Sequence, residues 1–123
     1  IQAKKRGSTW EAFTHYGRES SGLDALEWLK KATDLGAGEA FVTSIDKDGS
    51  LQGPDITLAE AASDSVEIPV IISGGIGSIN EIFTIANNTK VSGIALGLAL
   101  HKSQLKIQEI KSALSSKGIK VRV

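Results

Sequence analysis

Three apolar runs organise this chain, each ending in a small glycine-rich polar loop: AFVTSIDKDG (40–49), VIISGGIG (70–77) and GIALGLAL (93–100). Each run predicts a buried strand. Each loop predicts backbone N–H groups that a ligand can approach closely, because little side chain stands in the way. Between the runs the apolar spacing becomes helical. Leu26, Leu29 and Leu35 are among the apolar positions of a helix expected over Leu23–Leu35, and Ile107, Ile110 and Leu114 share a stripe of one over Leu105–Leu114. A third helix is expected to open at Thr57 and end near Ser65, and a fourth opens at Ser78. Ser21 with Asp24, Thr57 with Glu60, and Ser78 with Glu81 stand at capping-box spacing, while Gly36 and Gly118 close helices. Upstream, Ile1–Lys4 reads as a strand end and KKRGST (4–9) as a turn. Trp10–Tyr16 reads as a short strand or hairpin arm, and GRESSG (17–22) as a polar loop.

Strand, loop and helix, repeated with short connections, imply parallel strands joined by right-handed crossovers. Continuous apolar strands are expected to be covered on both faces. Glycine-rich loops after consecutive strands are how a β/α barrel builds a phosphate site at its carboxyl rim. A complete (β/α)8 barrel takes about 250 residues, so the 123 residues here supply about half of one. The expected fold is α/β of the (β/α)8 TIM-barrel type, present as a single half-barrel unit over 1–123 with no internal linker.

Fourteen Lys plus Arg balance 14 Asp plus Glu, which argues against nucleic acid or an anionic membrane recognised by bulk charge. Cysteine is absent, which removes disulfides and thiolate metal sites, and His15 and His101 have no partner at metal-ligand spacing. No metal or cofactor is therefore expected. No apolar run is long enough to span a membrane and no signal segment opens the chain, so the expected location is cytoplasmic. The absence of Met fits processing or a piece of a longer protein.

Asp46, Asp48 and Gly49 follow a predicted strand. One carboxylate can face the barrel mouth and handle a proton or a sugar hydroxyl, or the cluster is a solvated turn. Ser73, Gly74 and Gly75, ahead of a helix N-terminus, offer free N–H donors and a favourable dipole to an anion, although a strand-to-helix turn needs glycine anyway. Gly97 on the next strand strengthens the phosphate reading. Trp10, Trp28 and Phe83 read as core or interface aromatics. Lys4, Lys5, Arg6 and Arg18 attract a phosphate or simply line a solvated loop. Glu39, at the amino end of its strand, is a surface charge or part of a partner interface.

GAGE (36–39), TSIDKDG (43–49), IPVIISGG (68–75), GIKVRV (118–123) and FTHYGRESSGLDALEW (13–28) together resemble the cyclase subunit of imidazole glycerol phosphate synthase, over essentially the whole chain. The resemblance is to the carboxyl-terminal half of that barrel, strands 5–8 with their helices. It implies a cyclase/lyase of histidine biosynthesis. With ammonia from a glutaminase partner, such an enzyme converts a ribulosyl aminoimidazole-carboxamide nucleotide to imidazole glycerol phosphate and an aminoimidazole ribonucleotide. Of the two phosphates on that substrate, this half would bind one.

Carried over residue by residue, Asp48 would be the assisting acid or sugar-contacting group, with Thr43, Asp46 and Lys4 nearby. Gly49, Ser73, Gly74, Gly75, Gly97 and Leu98 would line the phosphate site, and Glu39 would match a charged residue gating ammonia entry. Three departures accompany the match. The family's essential aspartate in Ile-Asp-x-Lys is matched here by Gln2 in Ile1-Gln2-Ala3-Lys4, and an amide does not exchange a proton at neutral pH. The family's first-strand aspartate has no counterpart in this chain. Leu98 stands where the family has Ser.

GSLQGPD (49–55) and SGGIGSINE (73–81) lean toward the sister aminoimidazole-carboxamide isomerase, which lacks the FTHYGRESSG and KVRV features. The KKRG (4–7) and FTHYGRESSG (13–22) segments also fit a divergent second cyclase copy, serving an amidotransferase that aminates a surface sugar. The non-enzymatic reading is a catalytically silent half-barrel, which would self-associate as a homodimer and still bind phosphate.

Overall fold

A computed structural model describes residues 1–122; Val123, the last residue of the GIKVRV motif, lies outside the described residues. In chain order the elements are β1 (Gln2–Arg6), β2 (Thr9–Thr14), β3 (Glu19–Asp24), α1 (Ala25–Asp34), β4 (Ala40–Ser44), α2 (Ile56–Ser65), β5 (Val70–Ser73), α3 (Ile79–Asn88), β6 (Gly93–Ala95), α4 (Leu98–His101) and α5 (Ile107–Ser116). One six-stranded sheet runs in the order β3-β2-β1-β4-β5-β6. From β4 through β5 to β6 the strands are parallel and separated by helices, as the alternating pattern predicts. β1 joins them in parallel through only two pairs, Gln2 with Thr43 and Ala3 with Ser44.

The other half of the sheet departs from the expected pattern. β1, β2 and β3 form an antiparallel meander, so the segment read as a polar loop at 17–22 largely becomes a third hairpin strand. Its polarity hid it. The strand is held by polar cross-strand bonds rather than by apolar alternation. Where the β2–β3 register shifts between Glu11 and Phe13, the Glu11 carboxylate accepts from the Ser20 hydroxyl and the Gly22 N–H (3.0 Å), and it also accepts from Arg6 Nε (2.9 Å).

The core lies on one side of the sheet. Ala3, Val42, Val70 and Ile72 pack with Leu29, Leu58, Ala59, Ala62, Ile82 and Ile85 from the helices. Residues of opposite parity are less covered: Phe41 is 48% exposed, and Ile71 is only partly buried. The expectation of two covered faces is thus corrected, because helices α1, α2 and α3 cover one face only.

Helix starts follow side-chain oxygens, though not always the anticipated ones. Ser78 and Glu81 form the predicted reciprocal box at α3. At α1 the cap is Asp24 itself, accepting from the N–H groups of Leu26 (2.9 Å) and Glu27 (3.0 Å), while Ser21 turns away to the Ala12 carbonyl. At α2 the cap is Asp55 rather than Thr57, whose hydroxyl donates to Asp55 instead. The run GIALGLAL (93–100), read as a strand and its loop, splits: β6 ends at Ala95, and Leu98 opens α4.

Glu11 gives this meander a pH signature. Hydrogen bonds from Ser20, Arg6 and Gly22 pull its carboxyl from 4.5 down to about 2. Because the folded value is depressed, the stabilisation is present above the unfolded value of 4.5 and is lost as pH falls toward about 2. Glu11→Gln is expected to melt at a lower temperature than the parent at neutral pH, with the gap closing on acidification. Paired thermal melts across that range check it; a gap independent of pH would remove Glu11 from this role.

Candidate functional site

Register puts the strand ends at one rim. Thr43 is paired with Ser73, and Ser73 with Ala95, so the chain leaves β4, β5 and β6 at one level. The loops that follow enclose a hollow of about 60 Å³ lined by Asp48, Gly49, Leu51, Ser73, Gly74, Gly75, Ile76, Ala95, Leu96, Gly97 and Leu98. Residues assigned to a phosphate from the sequence therefore gather in one place. A pocket for a whole drug-sized ligand spans roughly 300–1,000 Å³, so this hollow suits a small anionic group rather than a nucleotide base. A larger groove of about 440 Å³, between β6, α3 and α5, contains none of the anticipated site residues.

Backbone packing explains two of the glycines. Gly75 has φ +83°, and a Cβ there would fall 2.2 Å from the Gly53 carbonyl oxygen. Gly53 N–H in turn donates to the Gly75 carbonyl at 2.9 Å, so the β4–α2 and β5–α3 loops meet backbone to backbone. A Cβ on Gly74 would approach the Ser44 carbonyl to 2.8 Å. Gly97 differs: its φ is −118°, and a Cβ would meet nothing within 4 Å.

The donor inventory revises which helix serves the hollow. At the start of α3, Glu81 Oε2 already accepts from Gly77 N–H (2.8 Å) and Ser78 N–H (3.1 Å), so a carboxylate of the chain itself occupies that terminus. Among the described residues, the N–H groups of Gly49, Gly75, Ile76 and Gly97 donate to no protein acceptor. The first-turn N–H of Leu98 joins them, since a helix start leaves such donors unpaired. Short α4 thus takes the place that the sequence reading gave to α3, an arrangement known from barrel phosphate sites. Leu98 brings hydrocarbon there and no hydroxyl.

The other anticipated residues divide by position. Gln2, Thr43 and Ser73 are register neighbours across three strands, with Gln2 half-buried and Thr43 buried. Asp48 is exposed on the wall of the hollow. Asp46 is engaged elsewhere: its Oδ2 accepts from the Lys5 N–H at 2.7 Å and ties the β4 loop to β1. Lys4 lies on β1 with its Nζ 5.5 Å from the Phe13 ring, outside the lining of the hollow. Glu39 is exposed immediately before β4, at the opposite end of the sheet.

Sequence reasoning missed two supports. Trp10 is buried, and its indole N–H donates to Asp55 Oδ2 at 2.9 Å, fastening the hairpin to the α2 cap. Burial alone would raise the Asp55 carboxyl, but bonds from Leu58, Trp10 and Thr57 outweigh it and hold the group below its ordinary range. An Asp directly after Pro54 and before an apolar helix was a readable cap signal. Gln104 is the second: its Nε2 donates to the Gly77 carbonyl at 2.8 Å, a contact with no local sequence signature.

A family model described as "Histidine biosynthesis protein" matches residues 1–106. The chain is also 41% identical, over all 123 of its residues, to a protein named imidazole glycerol phosphate synthase subunit HisF from Dehalococcoides mccartyi. It covers 49% of that relative, and so spans about half its length. The parallel β4–β5–β6 core with alternating helices corresponds to half of a barrel of that kind. By sequence match and by architecture, this chain belongs to the histidine biosynthesis protein family.

Proposed function

We propose that this chain is the carboxyl-terminal half of a cyclase-type barrel and that its rim holds one phosphate of a phosphorylated sugar-nucleotide substrate. Within a complete barrel, and with ammonia from a glutaminase partner, it would serve the conversion of a ribulosyl aminoimidazole-carboxamide nucleotide to imidazole glycerol phosphate. One observation carries the reading: N–H groups without protein acceptors, from Gly49, Gly75, Ile76, Gly97 and Leu98, border one hollow of phosphate-group size. Such donors stabilise an anion without a cation, through hydrogen bonds to charged oxygen. The position of Asp48 on the wall of the hollow supports its reading as the assisting acid or sugar-contacting group. Glu39, at the far end of β4, fits a role at the face that admits ammonia.

Gln2 favours a second reading. It sits beside Thr43 at the rim, where a carboxylate would exchange protons and an amide does not. On this reading the chain binds phosphate but does not turn substrate over, and self-association covers the sheet face that leaves Phe41 exposed.

Inorganic phosphate is expected to raise the melting temperature; at a hundredfold excess over Kd the gain is about 2.7 kcal/mol. Gly97→Asp should abolish that gain while leaving the phosphate-free melting temperature close to the parent's, because the added side chain meets open space. Gly75→Ala should instead destabilise the chain with or without phosphate, through its clash with Gly53. Scanning calorimetry distinguishes these outcomes, and a melt indifferent to phosphate would sink the reading.

In a barrel completed by an amino-terminal half, Gln2→Asp should raise ammonia-dependent cyclisation by about a hundredfold or more, the usual contribution of a positioned acid–base group. Steady-state assays with ammonium salts measure it. No gain would exclude position 2 from the proton-transfer step.

A further inference from the structure

We propose that Gln104 is a positioning residue for the anion hollow, joining through one side-chain amide the two loops whose N–H groups face the ligand. The proposal rests on the phosphate reading above. One set of donors, Gly75 and Ile76, belongs to the loop after β5. The other, Gly97 and Leu98, belongs to the start of α4. No ladder bond reaches these loops, since the β5–β6 pairing ends at Ser73 and Ala95. Something else must set the distance between them.

Gln104 supplies that link. Its Nε2 donates to the Gly77 carbonyl (2.8 Å), while the Gly77 N–H donates to Glu81 Oε2 (2.8 Å). Gly77 is therefore gripped by α3 through its nitrogen and by the segment after α4 through its oxygen. The orientation of the Gln104 amide follows from its partner, because a carbonyl only accepts.

Gln104 is itself rigidly mounted on α4. Its N–H and that of Leu105 both bond to the Ala99 carbonyl, at 2.9 and 3.2 Å, across a turn in which Ser103 has φ +56°. Leu105 and Ala99 are buried, so this turn is seated in the core. Nor does Gly77 have room to drift. A Cβ there would stand 3.1 Å from the Leu51 carbonyl oxygen and 3.4 Å from Gln104 Nε2. With the amide in place, one phosphate can bridge both loops. Without it, only the packing of Ala99 and Leu105 relates α4 to Gly75, and the spacing of the two donor sets is less closely held.

The test is a titration of the ¹⁵N-labelled chain with inorganic phosphate, followed at the amides of Gly75, Ile76, Gly97 and Leu98. In the parent the four signals should move together with one Kd. Gln104→Leu and Gln104→Glu both remove the donor, the second at nearly constant shape. Each should weaken phosphate about three- to tenfold, the scale of one neutral hydrogen bond. In both, the Gly97 and Leu98 responses should separate from those of Gly75 and Ile76, while the phosphate-free melting temperature stays near the parent's. A single unchanged Kd in both variants overturns the positioning role and leaves the phosphate site standing. Parallel loss of all four responses with a lowered melting temperature marks a merely structural residue and also overturns it. If the parent amides do not respond at all, the phosphate reading fails and the role of Gln104 fails with it.

Discussion

The alignment of β4, β5 and β6 is the constraint on which the rest depends. Parallel pairing fixes Thr43, Ser73 and Ala95 at one level, so three successive loops must leave the sheet at the same rim. A shift of one residue in either pairing would turn every side chain to the opposite face. It would bury Phe41 among the helices and expose Val42. The hollow is therefore a by-product of core formation: burying Val42, Val70 and Ile72 beneath α2 and α3 is what brings Gly49, Gly75 and Gly97 together.

Within that frame the chain satisfies most of its loop donors internally and leaves a few unsatisfied in one spot. Glu81 takes the two N–H groups at the start of α3, Ser44 takes those of Lys47 and Asp48, and Asp55 takes that of Leu58. Buried backbone groups are seldom left without partners. Of the rim N–H groups without protein acceptors, those of Gly75 and Ile76 are buried and those of Gly49 and Gly97 are open to water; they gather next to a helix start, with no Lys or Arg in the lining. The same loops are tied to the hairpin by Asp46 with Lys5 and by Asp55 with Trp10, so the antiparallel extension braces the β4–α2 loop at both of its ends.

The parallel core was legible because its signal is dense: three apolar runs, glycine-rich ends, and the Ser78–Glu81 box at the expected place. The residues around the hollow could be named for the same reason, since in this architecture strand ends and ligand contacts coincide. Glu19–Asp24 was not legible as a strand, because its pairing depends on Glu11, which reaches it from the neighbouring strand β2. Capping also misled where two candidates lay close together. Asp24 and Asp55 directly precede their helices and outcompete Ser21 and Thr57. Likewise, the occupation of the α3 terminus by Glu81 follows from side-chain geometry that spacing alone leaves open.

The two kinds of glycine at the rim carry different information about descent. Methyl groups at positions 74 and 75 collide with main chain, so any lineage retaining this fold must keep them, ligand or no ligand. Position 97 is under no such steric compulsion: its φ is negative, at −118°, and a Cβ there would meet nothing within 4 Å. On the proposed reading, relatives that no longer bind an anion should accumulate larger residues there first, which makes that single site a readout of the proposal across descent.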